Sequence, residues 1–281
     1  MVSPDPRPIA VFDSGVGGLT VLSEIQRRLP DETTIYLGDS AHTPYGPRPA
    51  DEVQRYTLEC AEWLLGQDPK MLVLACNTAT AQALPQVRER VGIPVLGVVR
   101  PGAVAAAAAT RSGHVGVVAT AGTVASGAYP AAIGEADPGV VVSQQACPDL
   151  VPLVEAGEVV GRRVEEAVGG YVDQLRAQDS QLDTLLLGCT HYPLLRPIFE
   201  RQVGPDVSVV DSAFTTALAL EDLLDALQAR SGAGAGVPPS PHRVVTTGDP
   251  EAFRAVADRL FGGDLPDVQA IHLAAEPARA D

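Results

Sequence analysis

Short apolar runs alternate with segments of helical period along most of the chain, and this alternation constrains the fold more than any other feature. Strands alternating with helices are typical of parallel sheets built from βα units, so the sequence predicts an α/β protein. We predict strands at 8–12, 34–37, 71–75, 94–98, 115–119, 139–143, 184–187, 207–210 and 243–247, with helices between them. The segment 231–241, SGAGAGVPPSP, is rich in small residues and proline and is predicted to be a flexible loop.

Two of the predicted strands end in similar sequence. MLVLACNTATAQALP and TLLLGCTHYPLLRP each run from an apolar strand through a small residue to a cysteine, a nearby threonine and a helix. Another strand-to-turn signal lies upstream of each: Asp13 precedes Cys76, and Thr120 precedes Cys189 at a similar separation. This internal repetition predicts two similar α/β halves.

The charge balance narrows the choice of partner. The formal net charge is -15 at pH 7, whereas surfaces that bind nucleic acid or anionic lipid need clustered Lys and Arg. We therefore expect neither a nucleic-acid nor a membrane partner, and favour a small molecule. If that molecule is an anion, the site must hold it with hydrogen-bond donors and helix N-termini.

The expected location of the protein bears on the state of its cysteines. We find no apolar segment of the kind that an export signal or a membrane helix needs, so the expected location is the cytoplasm. Thiols stay reduced there, and without a CxxC pair a metal site has little support. Cys60 falls on the apolar stripe of a predicted helix at 51–65 and is expected in the core. The four cysteines are Cys60, Cys76, Cys147 and Cys189.

Lysine is almost absent, which bears on any amino-acid chemistry. Lys70 is the only lysine, and it precedes an apolar strand, at the wrong end for a catalytic role. A pyridoxal phosphate enzyme needs a lysine for its Schiff base, so we predict no such cofactor.

Cys76 and Cys189 both stand where a strand ends and a helix begins. Ligands bind beyond these ends in open parallel sheets, and the helix dipole there is expected to lower a thiol pKa from about 8.5. Either cysteine alone could equally be a core residue. As a pair in duplicated settings, they could present a base and an acid to opposite sides of one bound carbon.

Two polar side chains could assist these thiols. Asp13 follows the first strand and could orient or deprotonate Cys76, and His191 could do the same for Cys189. The alternatives are a helix N-cap for Asp13 and a loop-packing role for His191. Donors for an anionic ligand follow the other strands: Ser14, Tyr45, Gly46, Asn77, Thr78, Thr120, Thr123 and Thr190.

The glycine-rich stretch DSGVGGLT also follows a strand and opens a helix. It fits neither the dinucleotide fingerprint nor a P-loop, so nucleotide binding is disfavoured. Its glycines instead permit a small carboxylate to approach backbone N–H groups closely.

Long ordered blocks between about residues 8 and 221 carry a resemblance to a known family. They are DSGVGGLTVL, YLGDSAHTPYGPR, LACNTATAQALP, IPVLGVV, ATAGTVASGAY and LLLGCTHYPLLRP. Together they resemble the glutamate racemases of bacterial peptidoglycan precursor synthesis, within the aspartate/glutamate racemase superfamily. This resemblance implies cofactor-independent interconversion of L- and D-glutamate by two thiols, without metal, in a homodimer.

The resemblance also implies an arrangement of domains. Two similar parallel-sheet α/β domains would be related by a pseudo-twofold axis, with the active site in the cleft between them. The first would be discontinuous, comprising 1–98 and 211–281, and the second, 99–210, would be inserted into it.

Site residues follow from the same blocks and, for Glu155, from the stretch VPLVEAGE. The resemblance implies Cys76 and Cys189 as the catalytic acid/base pair, assisted by Asp13 and His191. Glu155 and Thr120 are auxiliary, although Glu155 could also be an exposed acid at a helix end. The implied substrate-binding residues are Asp13, Ser14, Tyr45, Gly46, Asn77, Thr78, Thr123, Thr190 and His191.

The sequence departs from the family pattern in two places. Arg100 stands where many members carry Glu, and the block at 211–217 lacks its usual acidic form. Two other functions stay open: a racemase or isomerase for another small acid, such as an aspartate-like one, and a non-catalytic two-domain protein that binds small anions.

Overall fold

The computed structural model describes residues 4–232, 242–263 and 265–273, and within them every strand pairing is parallel. The strands are β1 Ile9–Asp13, β2 Thr34–Gly38, β3 Met71–Leu74, β4 Val95–Gly97, β5 His114–Ala119, β6 Val141–Ala146, β7 Thr184–Gly188, β8 Ser208–Asp211, β9 Arg243–Thr246 and β10 Val268–Ala270. The α-helices are α1 Leu19–Arg28, α2 Ala50–Leu65, α3 Asn77–Arg90, α4 Val99–Ala109, α5 Ala121–Ser126, α6 Ala128–Ala136, α7 Leu150–Glu155, α8 Arg162–Gln178, α9 Arg196–Val203, α10 Ser212–Ala226 and α11 Pro250–Phe261.

The strands form two sheets with the same internal order. One sheet runs β10-β9-β2-β1-β3-β4, and the other runs β6-β5-β7-β8. The order β2-β1-β3-β4 in the first sheet corresponds to β6-β5-β7-β8 in the second. The first sheet is extended beyond β2 by β9 and β10. The α/β class and the two similar parallel-sheet halves predicted from the sequence are therefore confirmed.

Both sheets are buried on their two faces by helices, as expected of parallel sheets. The strand β1 contributes Ile9 and Val11 to one core and Ala10 and Phe12 to the other, because successive side chains point to opposite faces. The second sheet likewise separates two cores. Cys60 is fully buried in one of the first-sheet cores, as predicted.

Most predicted strands agree with the structure within one or two residues. The largest shift is in β6, which was predicted at 139–143 and extends to Ala146. The short strand β10 was missed. Most of the loop predicted at 231–241 lies outside the described residues. In the described part of the chain, no helix has the length and apolarity to cross a membrane.

Candidate active site

A cavity lies between the carboxyl ends of the two sheets. Its lining comes from loops and helix starts that follow β1, β2, β3, β5 and β7, together with one helix residue after β6. The lining residues are Ser14, Thr43, Pro44, Tyr45, Gly46, Cys76, Asn77, Thr78, Thr120, Val151, Cys189, Thr190 and His191. Most of the residues predicted for the site are therefore brought together here.

Cys76 is the N-cap residue of α3. Its backbone is extended, and its Sγ accepts a hydrogen bond from the N–H of Ala79 at 3.4 Å. The thiol lies 3.6 Å from Ser14 Oγ, to which it can donate. Both Cys76 and Cys189 are only 5% exposed, so their sulfur atoms are largely shielded from bulk solvent.

The expectation of a lowered pKa is wrong for Cys76. Burial and the nearby carboxylate of Asp13 raise its pKa to about 12, although hydrogen bonding with Ala79 and Ser14 acts in the opposite direction. Desolvation of a charged sulfur thus outweighs the helix N-terminus. In this state Cys76 is a protonated thiol at neutral pH and can donate a proton.

Cys189 belongs to a line of three polar groups in the second half. His191 Nδ1 lies 3.8 Å from the Cys189 Sγ, and His191 Nε2 lies 3.0 Å from Glu155 Oε1. Burial lowers the pKa of His191, but its bonds to Cys189 and Glu155 outweigh burial and raise that pKa to about 10. An imidazolium here stabilises negative charge on the neighbouring sulfur.

Asp13 lies at the end of β1 and is fully buried. Its Oδ2 accepts from the N–H of Gly15 at 3.0 Å, and Thr190 Oγ1 lies 3.4 Å from its Oδ1. The N-cap of α1 is Gly18, so Asp13 is not the capping residue. Burial raises the pKa of Asp13 despite the opposing effect of His191. The contact with Thr190 connects the two halves, and Asp13 itself does not line the cavity.

Three threonines join the halves on another side of the cavity. Thr78 Oγ1 lies 2.8 Å from Thr120 Oγ1 and 3.2 Å from Thr123 Oγ1, and the latter two are 3.0 Å apart. Thr120 also caps α5 by accepting from the N–H of Thr123. Thr123 itself lies behind the residues that line the cavity.

Asn77 offers an acceptor with no partner. Its Nδ2 donates to Tyr129 Oη at 2.7 Å, whereas its buried Oδ1 has no hydrogen-bond partner among the described residues. Buried polar atoms are rarely left unpaired, so this oxygen is suited to a ligand donor such as an ammonium group.

Sequence reasoning missed three lining residues. Thr43 and Pro44 directly precede Tyr45 in the HTPYG block, so the position of that block after β2 was a usable signal. Val151 is an apolar residue of α7 and carries no comparable signal. Arg100, one of the departures from the family pattern, is exposed in the first turn of α4 and does not line the cavity.

Two α/β halves that each bring a strand-end cysteine to one cavity have the architecture of an isomerase acting on a small molecule. The family model described as Asp/Glu/Hydantoin racemase matches residues 17–220. The chain therefore belongs to the Asp/Glu/hydantoin racemase family and is a racemase.

Individual relatives agree with this assignment. The chain is 44% identical over 265 residues to the glutamate racemase of Lactiplantibacillus plantarum, covering 94% of this chain and 95% of that protein. The solved glutamate racemase of Bacillus anthracis is 40% identical with a TM-score of 0.87, over 95% of this chain and 98% of the other. The solved glutamate racemase of Francisella tularensis, in complex with D-glutamate, is 31% identical with a TM-score of 0.87, over 96% and 98%.

Proposed function

We propose that this racemase interconverts L-glutamate and D-glutamate without a cofactor. The observation that carries the proposal is that Cys76 and Cys189 line one cavity from different halves of the molecule. The similarity to glutamate racemases, one of them solved with D-glutamate, supports the choice of substrate.

The proposed reaction needs one base and one acid. A thiolate on one side removes the α-proton, and the electron pair of that C–H bond stays on the α-carbon. The opposite thiol then gives its proton to the other face, so that one thiolate and one thiol are restored with exchanged roles. A protonated Cys76 and a Cys189 beside an imidazolium suit the two starting roles.

The carbanion formed between these steps has to be stabilised by the protein. Donors around the cavity, including Ser14, Thr78 and Thr190, are suited to the substrate carboxylates, and Asn77 Oδ1 is suited to its ammonium group. Fixed dipoles in a dry site stabilise developing charge better than water does. Closure of the two halves around the substrate would exclude water.

A Schiff-base mechanism has little support from the only lysine. Lys70 lies just before β3, at the end of the strand remote from the cavity, and its ammonium pairs with the carboxylate of Glu32 at 2.5 Å. Both side chains are almost completely buried. An amine held in this way is not available to a substrate in the cavity.

The chemistry is tested by replacing each cysteine in turn. We expect Cys76→Ala and Cys189→Ala to lower racemisation of glutamate, followed by circular dichroism, by about a thousandfold or more. Cys60→Ala is the matched control, because Cys60 is a buried core thiol that does not line the cavity. Undiminished racemisation in either cavity variant would contradict the two-thiol mechanism.

The two thiols should not be interchangeable. Cys76 contacts Ser14, whereas Cys189 contacts His191. Because each thiol serves one face of the α-carbon in the proposed reaction, each variant should retain exchange of the α-proton from a different enantiomer. Deuterium incorporation from heavy water, measured separately for L- and D-glutamate with Cys76→Ser and Cys189→Ser, tests this. Equal incorporation from both enantiomers in both variants would argue against a separate base for each face.

The wider role follows from the proposed substrate. We propose that the D-glutamate supplies peptidoglycan synthesis in the cytoplasm and that the enzyme acts as a homodimer. All four cysteines are free thiols in the structure, which is compatible with a reducing compartment. A substrate panel that includes aspartate, read by chiral chromatography, separates glutamate from the alternative of another small acid.

A further inference from the structure

The loop that carries Tyr45 and Gly46 to the cavity is anchored on a buried carboxylate. Asp39 follows β2 directly and is fully buried. Its Oδ2 accepts from Tyr45 Oη at 2.6 Å, and its Oδ1 accepts from Thr247 Oγ1 at 2.5 Å. His42 Nδ1 lies 2.9 and 3.0 Å from the two oxygens. Three donors thus converge on one carboxylate. A carboxylate that is removed from water needs such hydrogen bonds to replace its hydration.

The segment between Asp39 and Tyr45 is also tied to the end of β9. The N–H of Ala41 donates to Thr247 Oγ1 at 3.1 Å, and Ser40 Oγ lies 2.5 Å from Thr246 Oγ1. Thr247 therefore accepts from the loop and donates to Asp39 at the same time. In this way the C-terminal part of the chain supports a wall of the cavity.

A neighbouring helix and the opposite half complete the support. The ring of His42 stacks on Tyr56 of α2 with 3.8 Å between centroids. The carbonyl of Gly46 accepts from the N–H of Gly122 in α5 at 2.8 Å. A Cβ on Gly46 would lie 3.0 Å from Thr120 Cβ, so the loop approaches the second half closely. A small displacement of this loop would therefore change the shape of the cavity.

We infer that Asp39, together with Thr247, is a positioning residue that fixes Tyr45 and Gly46 for substrate binding. Asp39 is not among the described residues that line the cavity, so it acts through the phenol of Tyr45. The inference rests on the proposed function, because the bound molecule is the amino acid named there. Its effect belongs to substrate binding, since both thiols lie on other loops.

The first test is Asp39→Asn. Asparagine keeps the shape but replaces one acceptor oxygen with an NH₂ donor, which then faces the donor of either Tyr45 or Thr247. We expect KM for both glutamate enantiomers to rise about tenfold, with a much smaller change in kcat. A purely structural role would lower the melting temperature without this division between KM and kcat.

The second test uses Tyr45→Phe, alone and combined with Asp39→Asn. The single variant removes one donor to the carboxylate and should raise KM about threefold. In the double variant the phenol no longer opposes the amide, so KM should be no higher than in Asp39→Asn alone. Tyr45→Phe also keeps the inference testable if Asp39→Asn fails to fold.

The control is Thr57→Val. Thr57 is a fully buried threonine of α2 whose hydroxyl donates to the carbonyl of Val53, so the variant loses a comparable bond that involves no residue of the loop. We expect its KM to match that of the wild type. An active wild type whose KM is unchanged by Asp39→Asn, or single effects that add fully in the double variant, would overturn the inference. A wild type inactive on glutamate would contradict the proposed function, and this inference with it.

Discussion

The charge on His191 depends on its contacts with Glu155 and Cys189, whose geometry could not be predicted from the sequence. Glu155 was placed near the site only through the resemblance, because nothing in the local sequence showed that the end of α7 faces the residues after β7. In the structure, Glu155 accepts from His191, and the ring reaches the sulfur of Cys189. The charged imidazole is thereby stabilised although it is buried.

This stabilisation predicts a pH-dependent contribution to folding. The pKa of His191 is raised in the folded state to about 10, from an unfolded value of about 6.5. The protonated ring therefore contributes its full stability below about pH 6.5, and the contribution is lost as pH rises towards 10. The free energy of unfolding, measured with urea, should be larger for the wild type than for His191→Asn, and this difference should shrink steadily across that window.

Removal of the carboxylate partner provides the comparison for this experiment. Glu155→Gln keeps the shape at the end of α7 but removes the negative charge beside the imidazole. The free energy of unfolding of Glu155→Gln should therefore approach that of the wild type as pH rises, as should that of His191→Asn. If the difference between the wild type and each variant stays constant between pH 6 and pH 10, the ring is not charged in the folded protein.

At the scale of elements, the order of strands was predictable because βα units impose it. The alternation of apolar runs with segments of helical period located every strand with a strong apolar pattern. The similar sequences around the two cysteines indicated the repeated topology. β10 was missed because Val268–Ala270 is short and partly exposed, so it lacks such a pattern. The support given by Thr247 to Asp39 was not predictable either, since it depends on β9 pairing directly with β2 in the first sheet.

The helix α11 makes a second long-range contact with the site. It packs beside the first sheet, but Arg259 Nη1 donates to the carbonyl of Glu155 at 2.9 Å. Leu260 packs against core residues of both halves. Gly157 allows this approach, because a Cβ there would lie 2.6 Å from Arg259 Cδ and its φ is +86°. The helix α11 therefore contacts the end of α7 that provides the hydrogen-bond partner of His191.

Arg259→Ala should accordingly slow the reaction without disabling it. Loss of one hydrogen bond corresponds to a decrease of about threefold to tenfold in kcat/KM. The decrease should be equal for the two enantiomers, because the equilibrium constant between them in water is one. Arg254→Ala is the control on the same helix, since Arg254 bonds to Pro266 and Asp267 on the far side. Equal losses in both variants would indicate a general effect on α11 rather than support of Glu155.

On the scale of the whole molecule, the chain passes between the halves at two points. We propose the domain assignment 1–98 plus 211–281 and 99–210. The helix α10 follows a strand of the second sheet, yet Ala217 and Leu220 pack in a core of the first. The helix α4 follows a strand of the first sheet, yet Val99 and Ala103 pack in a core of the second. These crossings leave Cys76 and Cys189 on different members of the proposed pair of domains.

The charge of the whole molecule opposes the approach of the proposed substrate. The protein carries a formal charge of -15, and glutamate is a net anion at neutral pH. Between about 10 mM and 150 mM ionic strength the screening length falls from about 30 Å to about 8 Å, which weakens this long-range repulsion. We therefore expect kcat/KM to rise about twofold over that range, while kcat changes little because bound substrate is already inside the cavity. Potassium chloride and choline chloride should act alike, since the effect is screening and not binding of a particular ion. A fall in kcat/KM with either salt would mean that local donors, rather than the global field, control encounter with the substrate.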